Sequence, residues 1–165
     1  MRWLIDGYNV IRRDADLKAR ESESLEAGRA ALLAIVARVA RDLPDTFTVV
    51  FDGARRGGGN PAGGRVQVIF SRPPASADDE LRRLASALRE GAVVVSSDRA
   101  VQDAARRAGS TAVSAEDFLD AVESTPDEGD DDPDDEVDEP RRGSSHRPSR
   151  AERAAQRALR RLRNR

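Results

Sequence analysis

Apolar positions recur with two different periods over the first 120 residues, and the two kinds of segment alternate along the chain. The runs RWLID (2–6), FTVVFD (47–52), RVQVIFS (65–71), AVVVSSD (92–98) and TAVS (111–114) are short and mostly rich in β-branched or aromatic residues, which predicts five strands. In the third run Val66, Val68 and Phe70 alternate with polar or edge positions, which predicts a less buried strand. Between the strands the spacing changes. Leu25, Ala31, Leu32, Ile35, Val36 and Val39 fall on one face of a helix over 24–42, and Pro44 lies just beyond its end. Ser76 is placed to cap a helix over about 77–90, because its hydroxyl can accept from the free amides of a first turn, and Gly91 supplies the stop. Two further helices follow, over 99–109 and 115–122. Parallel neighbours need crossover connections, which are usually helices, so this alternation predicts an α/β fold with a mostly parallel sheet covered on both faces.

Charge divides the chain differently. Residues 1–119 are nearly neutral, with 18 basic and 17 acidic side chains, whereas 120–139 hold 12 acids and no base, and 140–165 hold 10 arginines against Glu152 alone. The acidic stretch has prolines, self-repelling charge and almost nothing to bury. The expected organisation is a folded domain over 1–122, a disordered acidic linker over 123–149 and a basic helical tail over 150–165. In that tail Ala154, Ala158 and Leu162 recur at four-residue spacing among arginines. Such a helix can lie on RNA or a ribosomal surface, or fold back on the acidic linker.

Residue types that are missing narrow the chemistry. There is no cysteine, the only histidine is His146 in the polar tail, and the only lysine is Lys18. Thiolate zinc sites, a Ser-His-Asp triad, a phosphate-loop lysine and a Schiff base are disfavoured, which leaves carboxylates, hydroxyls, arginines and metals. No stretch approaches the roughly 20 apolar residues of a membrane helix, and nothing resembles an export signal. A cytoplasmic protein is expected.

In open parallel sheets, ligands bind beyond the carboxyl ends of the strands. Asp6 stands at the end of the first run, Asp52 at the end of the second, Asp78 and Asp79 at the helix start after the third, and Asp98 after the fourth. Each has an ordinary use: Asp78 and Asp79 favour a helix N-terminus, Asp98 is a helix cap, and Asp52-Gly53 or Asp6-Gly7 marks a turn. Their convergence is the informative feature. Carboxylates gathered together repel one another unless a cation offsets them, and oxygen-only ligands suit Mg²⁺ or Mn²⁺. Such an ion can activate water and offset charge on a phosphodiester under attack.

The stretches LIDGYNVI (4–11), VVFDG (49–53), RVQVIFS (65–71), SADDELRRLA (76–85) and VVSSDRAVQ (94–102) resemble, in this order, the YacP-like NYN domain, a branch of the PIN-like nucleases. The resemblance covers roughly residues 2–122. It implies a PIN-like three-layer α/β/α sandwich of about five strands and metal-dependent endoribonuclease activity. By the same resemblance, Asp6 and Asp78 would be the principal metal-binding acids, Asp98 would complete the cluster, Asp52 would line it, and Asn9 would orient a ligand or the substrate phosphate. Relatives commonly read Ala-Asp-Glu where this chain reads Ala77-Asp78-Asp79-Glu80. The second acid is therefore Asp79 or Glu80, with Asp79 favoured because it directly follows Asp78.

A nuclease must also hold a polyanion, and phosphates are normally met by arginines, lysines and backbone amides. Candidate RNA contacts are Arg55, Arg56 and Arg65 around the glycine-rich loop, with Arg12 and Arg13 beyond the first motif; the alternative is solvated surface charge. Only 4% of residues are aromatic, so extensive base stacking is not expected. The partner expected is single-stranded RNA, free or on a ribosome. Two rivals stand beside the nuclease: a module that grips RNA or a ribosome without cutting, and a metal-dependent phosphatase with Asp6 as nucleophile. The second lacks an acid two residues on, where Tyr8 stands.

Overall fold

A computed structural model describes residues 1–53, 64–124 and 149–165. Its centre is a five-stranded sheet of β1 (Arg2–Asp6), β2 (Thr46–Phe51), β3 (Val66–Phe70), β4 (Ala92–Val95) and β5 (Thr111–Val113), in the order β3-β2-β1-β4-β5. Every pairing is parallel, with Ile5 beside Val49 on one side and Val95 on the other. The chain builds outward from β1 in one direction, then returns to β4 and builds in the other. The order therefore reverses beside β1, and Asp6 ends the strand at that reversal.

Side chains alternate across a strand, and here both sets are buried. Trp3, Ile5, Phe47, Val49, Phe51, Val93 and Val95 enter one apolar cluster, and Leu4, Val50 and Val94 enter the other. The second cluster is closed by Leu81 and Ala85 of α4 (Ala77–Leu88) and by Val101 and Ala105 of α5 (Arg99–Arg107). The first is closed by α1 (Gly7–Ile11), α2 (Ala15–Glu23), α3 (Leu25–Asp42), α6 (Ala115–Glu123) and α7 (Arg150–Arg163). The molecule is a three-layer α/β/α sandwich, as the sequence predicts. The edge strand β3 is its less protected member, with only Val66 of its five residues buried.

Two helices escape the sequence reading. α1 begins where Asp6 accepts a hydrogen bond from the Asn9 amide. It can begin there because Gly7 has no side chain: a Cβ at that position would stand 2.2 Å from Cε1 of Phe51. This close approach, rather than a tight turn, is what requires glycine. α2 is capped by Asp14, which accepts from the Leu17 amide at 2.7 Å, and Leu17 is its only buried residue. One buried side chain in nine leaves no apolar stripe to read.

The largest departure concerns the tail. Ala158 and Leu162 of α7 have no exposed surface and belong to the main core cluster, so this helix completes a layer of the sandwich. Arg165 donates to the Val122 carbonyl at 2.7 Å near the end of α6, where such groups lack helical partners. Arg161 reaches buried Asp45 at 3.0 Å, which also accepts from the Trp3 indole. The apolar face of the helix expected to lie on RNA or a ribosomal surface, or to fold back on the acidic linker, is thus committed to the core. Most of the expected linker, 125–148, lies outside the described residues.

Candidate active site

A cavity of about 630 Å³ opens beyond the carboxyl ends of β1, β2 and β4, and Asp6, Asp52, Asp78 and Asp98 all line it. Four acids from separate places in the chain meet because each follows a parallel strand or starts the helix that does. Three of them also have a local structural task, while Asp78 has Arg82 beside it, at 3.8 Å. Asp6 caps α1, and Asp98 caps α5 by accepting from the Ala100 and Val101 amides at 2.7 and 3.1 Å. Asp52 accepts from the Ala77 amide at 2.7 Å at the head of α4. The ordinary capping role and the cleft-lining role are held by the same side chains.

Two serines absent from the sequence candidates position these acids. Ser96, fully buried just after β4, donates to Oδ2 of Asp6 at 3.0 Å, and its oxygen accepts from the Asp98 amide at 3.2 Å. Ser71, just after β3, donates to Oδ1 of Asp52 at 2.8 Å. In both cases the first residue past one strand braces the acid that ends or directly follows its neighbour. The signal was a serine directly after each apolar run.

Burial pushes the Asp6 carboxyl up from its ordinary 3.8 to about 6; the Ser96 hydroxyl and Asn9 amide pull the other way, and the charges of Asp78 and Asp52 add to the rise. Asp6 is 8% exposed. Asp78 is raised as well, first by burial, then by the charge of Asp98, with Arg82 opposing. Ionising these acids together is costly, so the donor set suits a hard cation. Among the described residues no three acids stand close enough to enclose an ion. An Mg²⁺-type site with one or two carboxylates, waters and a substrate phosphate needs no such cage.

The remaining candidates separate. Asp79 is exposed and does not line the cavity: its carboxylate accepts from the amide and hydroxyl of Ser76 at 3.0 Å each, closing a capping box. These bonds hold its carboxyl below the usual range. Glu80 pairs with Arg83, which holds its carboxyl low too. Neither takes the place of a second acid in the cleft. Asn9 lines the cavity, but its Oδ1 accepts from the Ser97 amide at 2.8 Å and ties the β1–α1 corner to the β4–α5 loop.

Arg12 and Arg13 also line the cavity. Arg13 pairs with Glu116 at 2.9 Å, and Arg12 approaches Glu21 at 3.8 Å. Arg65 stands elsewhere: it precedes β3 and donates to the Leu43 carbonyl at 2.8 Å, at the amino ends of the strands. Arg55 and Arg56 lie outside the described residues. A third cleft arginine, Arg29 of α3, has no motif to announce it.

A parallel α/β/α sandwich with acids converging beyond the strand reversal is the architecture of the PIN-like class. Within that class the chain belongs to the YacP-like NYN domain family, whose model matches residues 3–164. That span includes α7 as well as the sheet. Over 126 residues the chain is 32% identical to the uncharacterized protein YacP of Bacillus subtilis (strain 168), covering 73% of this chain and 74% of the relative. The crystal structure of Rae1 (YacP) from Bacillus subtilis superposes with a TM-score of 0.65 at 32% identity, covering 74% of each chain. A substituted form of the same protein gives 0.63 at 30% identity and the same coverage. No helix among the described residues is long and apolar enough to cross a membrane.

Proposed function

We propose that this protein is a divalent-metal-dependent endoribonuclease. The observation that carries the reading is the meeting of Asp6, Asp52, Asp78 and Asp98 in one cavity that also holds arginines. Asp6 and Asp78, whose carboxyls burial and neighbouring acids push up, are the residues that would hold Mg²⁺ or Mn²⁺, with Asp98 and Asp52 beside them. Such an ion supplies an activated water and offsets charge on the phosphodiester.

The chain's own groups do the positioning. Ser96 and the Asn9 amide orient the two oxygens of Asp6, the first turn of α5 holds Asp98, and the head of α4 with Ser71 holds Asp52. The arginines offer phosphate contacts beside the acids. Products with 5′-phosphate and 3′-hydroxyl ends are expected by analogy with related nucleases, in a cytoplasmic setting, on RNA that is free or ribosome-bound.

The near-neutral charge of residues 1–119 and the low aromatic content of 4% favour a second reading, an RNA- or ribosome-binding module without cleavage. Incubating labelled single-stranded RNA with Mn²⁺, beside an EDTA control and the Asp6→Asn and Asp78→Asn variants, separates the two. Metal-dependent cleavage that drops at least 100-fold in both variants, a loss in the range of general catalytic groups, is expected. RNA bound yet uncut, with and without ribosomes, would favour the binding module. A covalent adduct on Asp6 with small phosphoesters would instead favour phosphatase chemistry.

A further inference from the structure

Three arginines face the cavity, and they differ in what holds them. Arg12 and Arg13 have carboxylate neighbours in Glu21 and Glu116. Arg29 has none among the described residues. It is held by neutral groups instead: its Nε donates to the Tyr8 hydroxyl at 2.8 Å, and an Nη2 hydrogen bond goes to the same oxygen. Its guanidinium carbon lies 5.2 Å from the Phe70 ring centre, 5.4 Å from that of Tyr8 and 5.7 Å from that of Phe51.

Those rings form a fixed support. Phe51 stacks on Phe70 with centroids 5.7 Å apart, and Tyr8 meets Phe51 edge-on at 5.2 Å. Phe51 is fully buried and fills the space left by the absent side chain of Gly7. Ring faces attract a cation but do not neutralise it, and one phenol oxygen satisfies only part of a guanidinium's five donors. A half-buried cation arranged this way retains its charge and part of its donor fork. The acids of the cavity repel phosphate, whereas this side attracts it, through the guanidinium donors that the Tyr8 oxygen leaves unused.

We propose that Arg29 is a phosphate-binding residue of the cleft, with Tyr8 as the residue that positions it. The assignment rests on the reading of the cleft as a site for RNA, and it does not depend on cleavage. It also gives Tyr8 a role: its hydroxyl is occupied in orienting the arginine.

The test measures binding of a short single-stranded RNA to the full chain over a range of salt, in EDTA and again with Ca²⁺ to offset the acids. Arg29→Ala and Arg29→Gln, the latter keeping an aliphatic stem over the rings, are each expected to weaken binding about tenfold. Each should also flatten the salt dependence by about 0.7 in log-log slope, the amount for one phosphate contact on a single strand. Tyr8→Phe keeps the charge and loses the orientation, so affinity should fall about threefold with the slope unchanged. Thermal melts establish that each variant is folded. RNA held with wild-type affinity and slope by folded Arg29→Gln would overturn the proposal, as would a wild-type protein that holds no RNA in either buffer. Arg29-dependent binding without any cleavage would uphold the assignment while the nuclease reading fails.

Discussion

At Asp6 the carboxylate is almost out of reach of water, holds two hydrogen bonds, and faces two further acids. Its folded value of about 6 against an ordinary 3.8 means that the folded state keeps the proton longer than the unfolded chain. The stability this contributes is fully present below about pH 4 and is lost as pH rises through about 6. The displacement corresponds to about 3 kcal/mol between the two protonation states, an upper figure before the surroundings relax. Asp6→Asn should therefore lose this pH dependence and, in EDTA at pH 7, be more stable than the wild type by about 1–2 kcal/mol, measured by urea unfolding. Added Mn²⁺ should raise the wild-type melting temperature and leave the variant nearly unmoved. Asp6 itself was legible as an acid ending an apolar run. Its bracing by Ser96, 90 positions away in the chain, was not, because that contact exists only once β1 and β4 pair.

The head of α4 shows how one turn divides adjacent acids. On a helix, consecutive residues are about 100° apart, so Asp78 can face the cleft while Asp79 turns back to Ser76 and Glu80 meets Arg83. Local sequence identified the helix start, but the choice among three successive acids depended on which way the helix sits on the sheet. Asp79→Ala should lower the melting temperature by a few degrees through loss of the capping box and leave RNA cleavage at the wild-type rate. The Asp78→Asn variant should show the reverse pattern in the same two assays. α1 and α2 were illegible for a related reason. One is a five-residue helix permitted by the space beside Phe51, and the other presents only Leu17 to the core.

Across the whole molecule, the decisive contact is that of α7. Ala158 and Leu162 occupy the same core as Trp3 and Phe118, so the arginine-rich end of the chain is integral to the fold. Leu162→Ala should cost about 2–4 kcal/mol of stability, the usual range for a leucine removed from a packed core, with a single cooperative transition in urea. A tail independent of the domain would show no change. The family match through residue 164 agrees with this placement. Charge segregation had drawn the domain boundary near residue 122, because an acidic stretch with nothing to bury looks like an ending.

The sequence by itself determined the five strands, the parallel α/β architecture and the acids that follow those strands, since these depend on local periodicity, capping and the rule that ligands sit beyond strand ends. Tertiary structure alone decided that Asp79 and Glu80 turn away from the cavity, that Ser71 and Ser96 hold the acids that line it, that Arg29 rests on Tyr8, and that α7 returns to the core. Each of those contacts joins segments distant in sequence. A single helix or strand pattern records that a face is apolar or charged, and carries no information about which other face it meets.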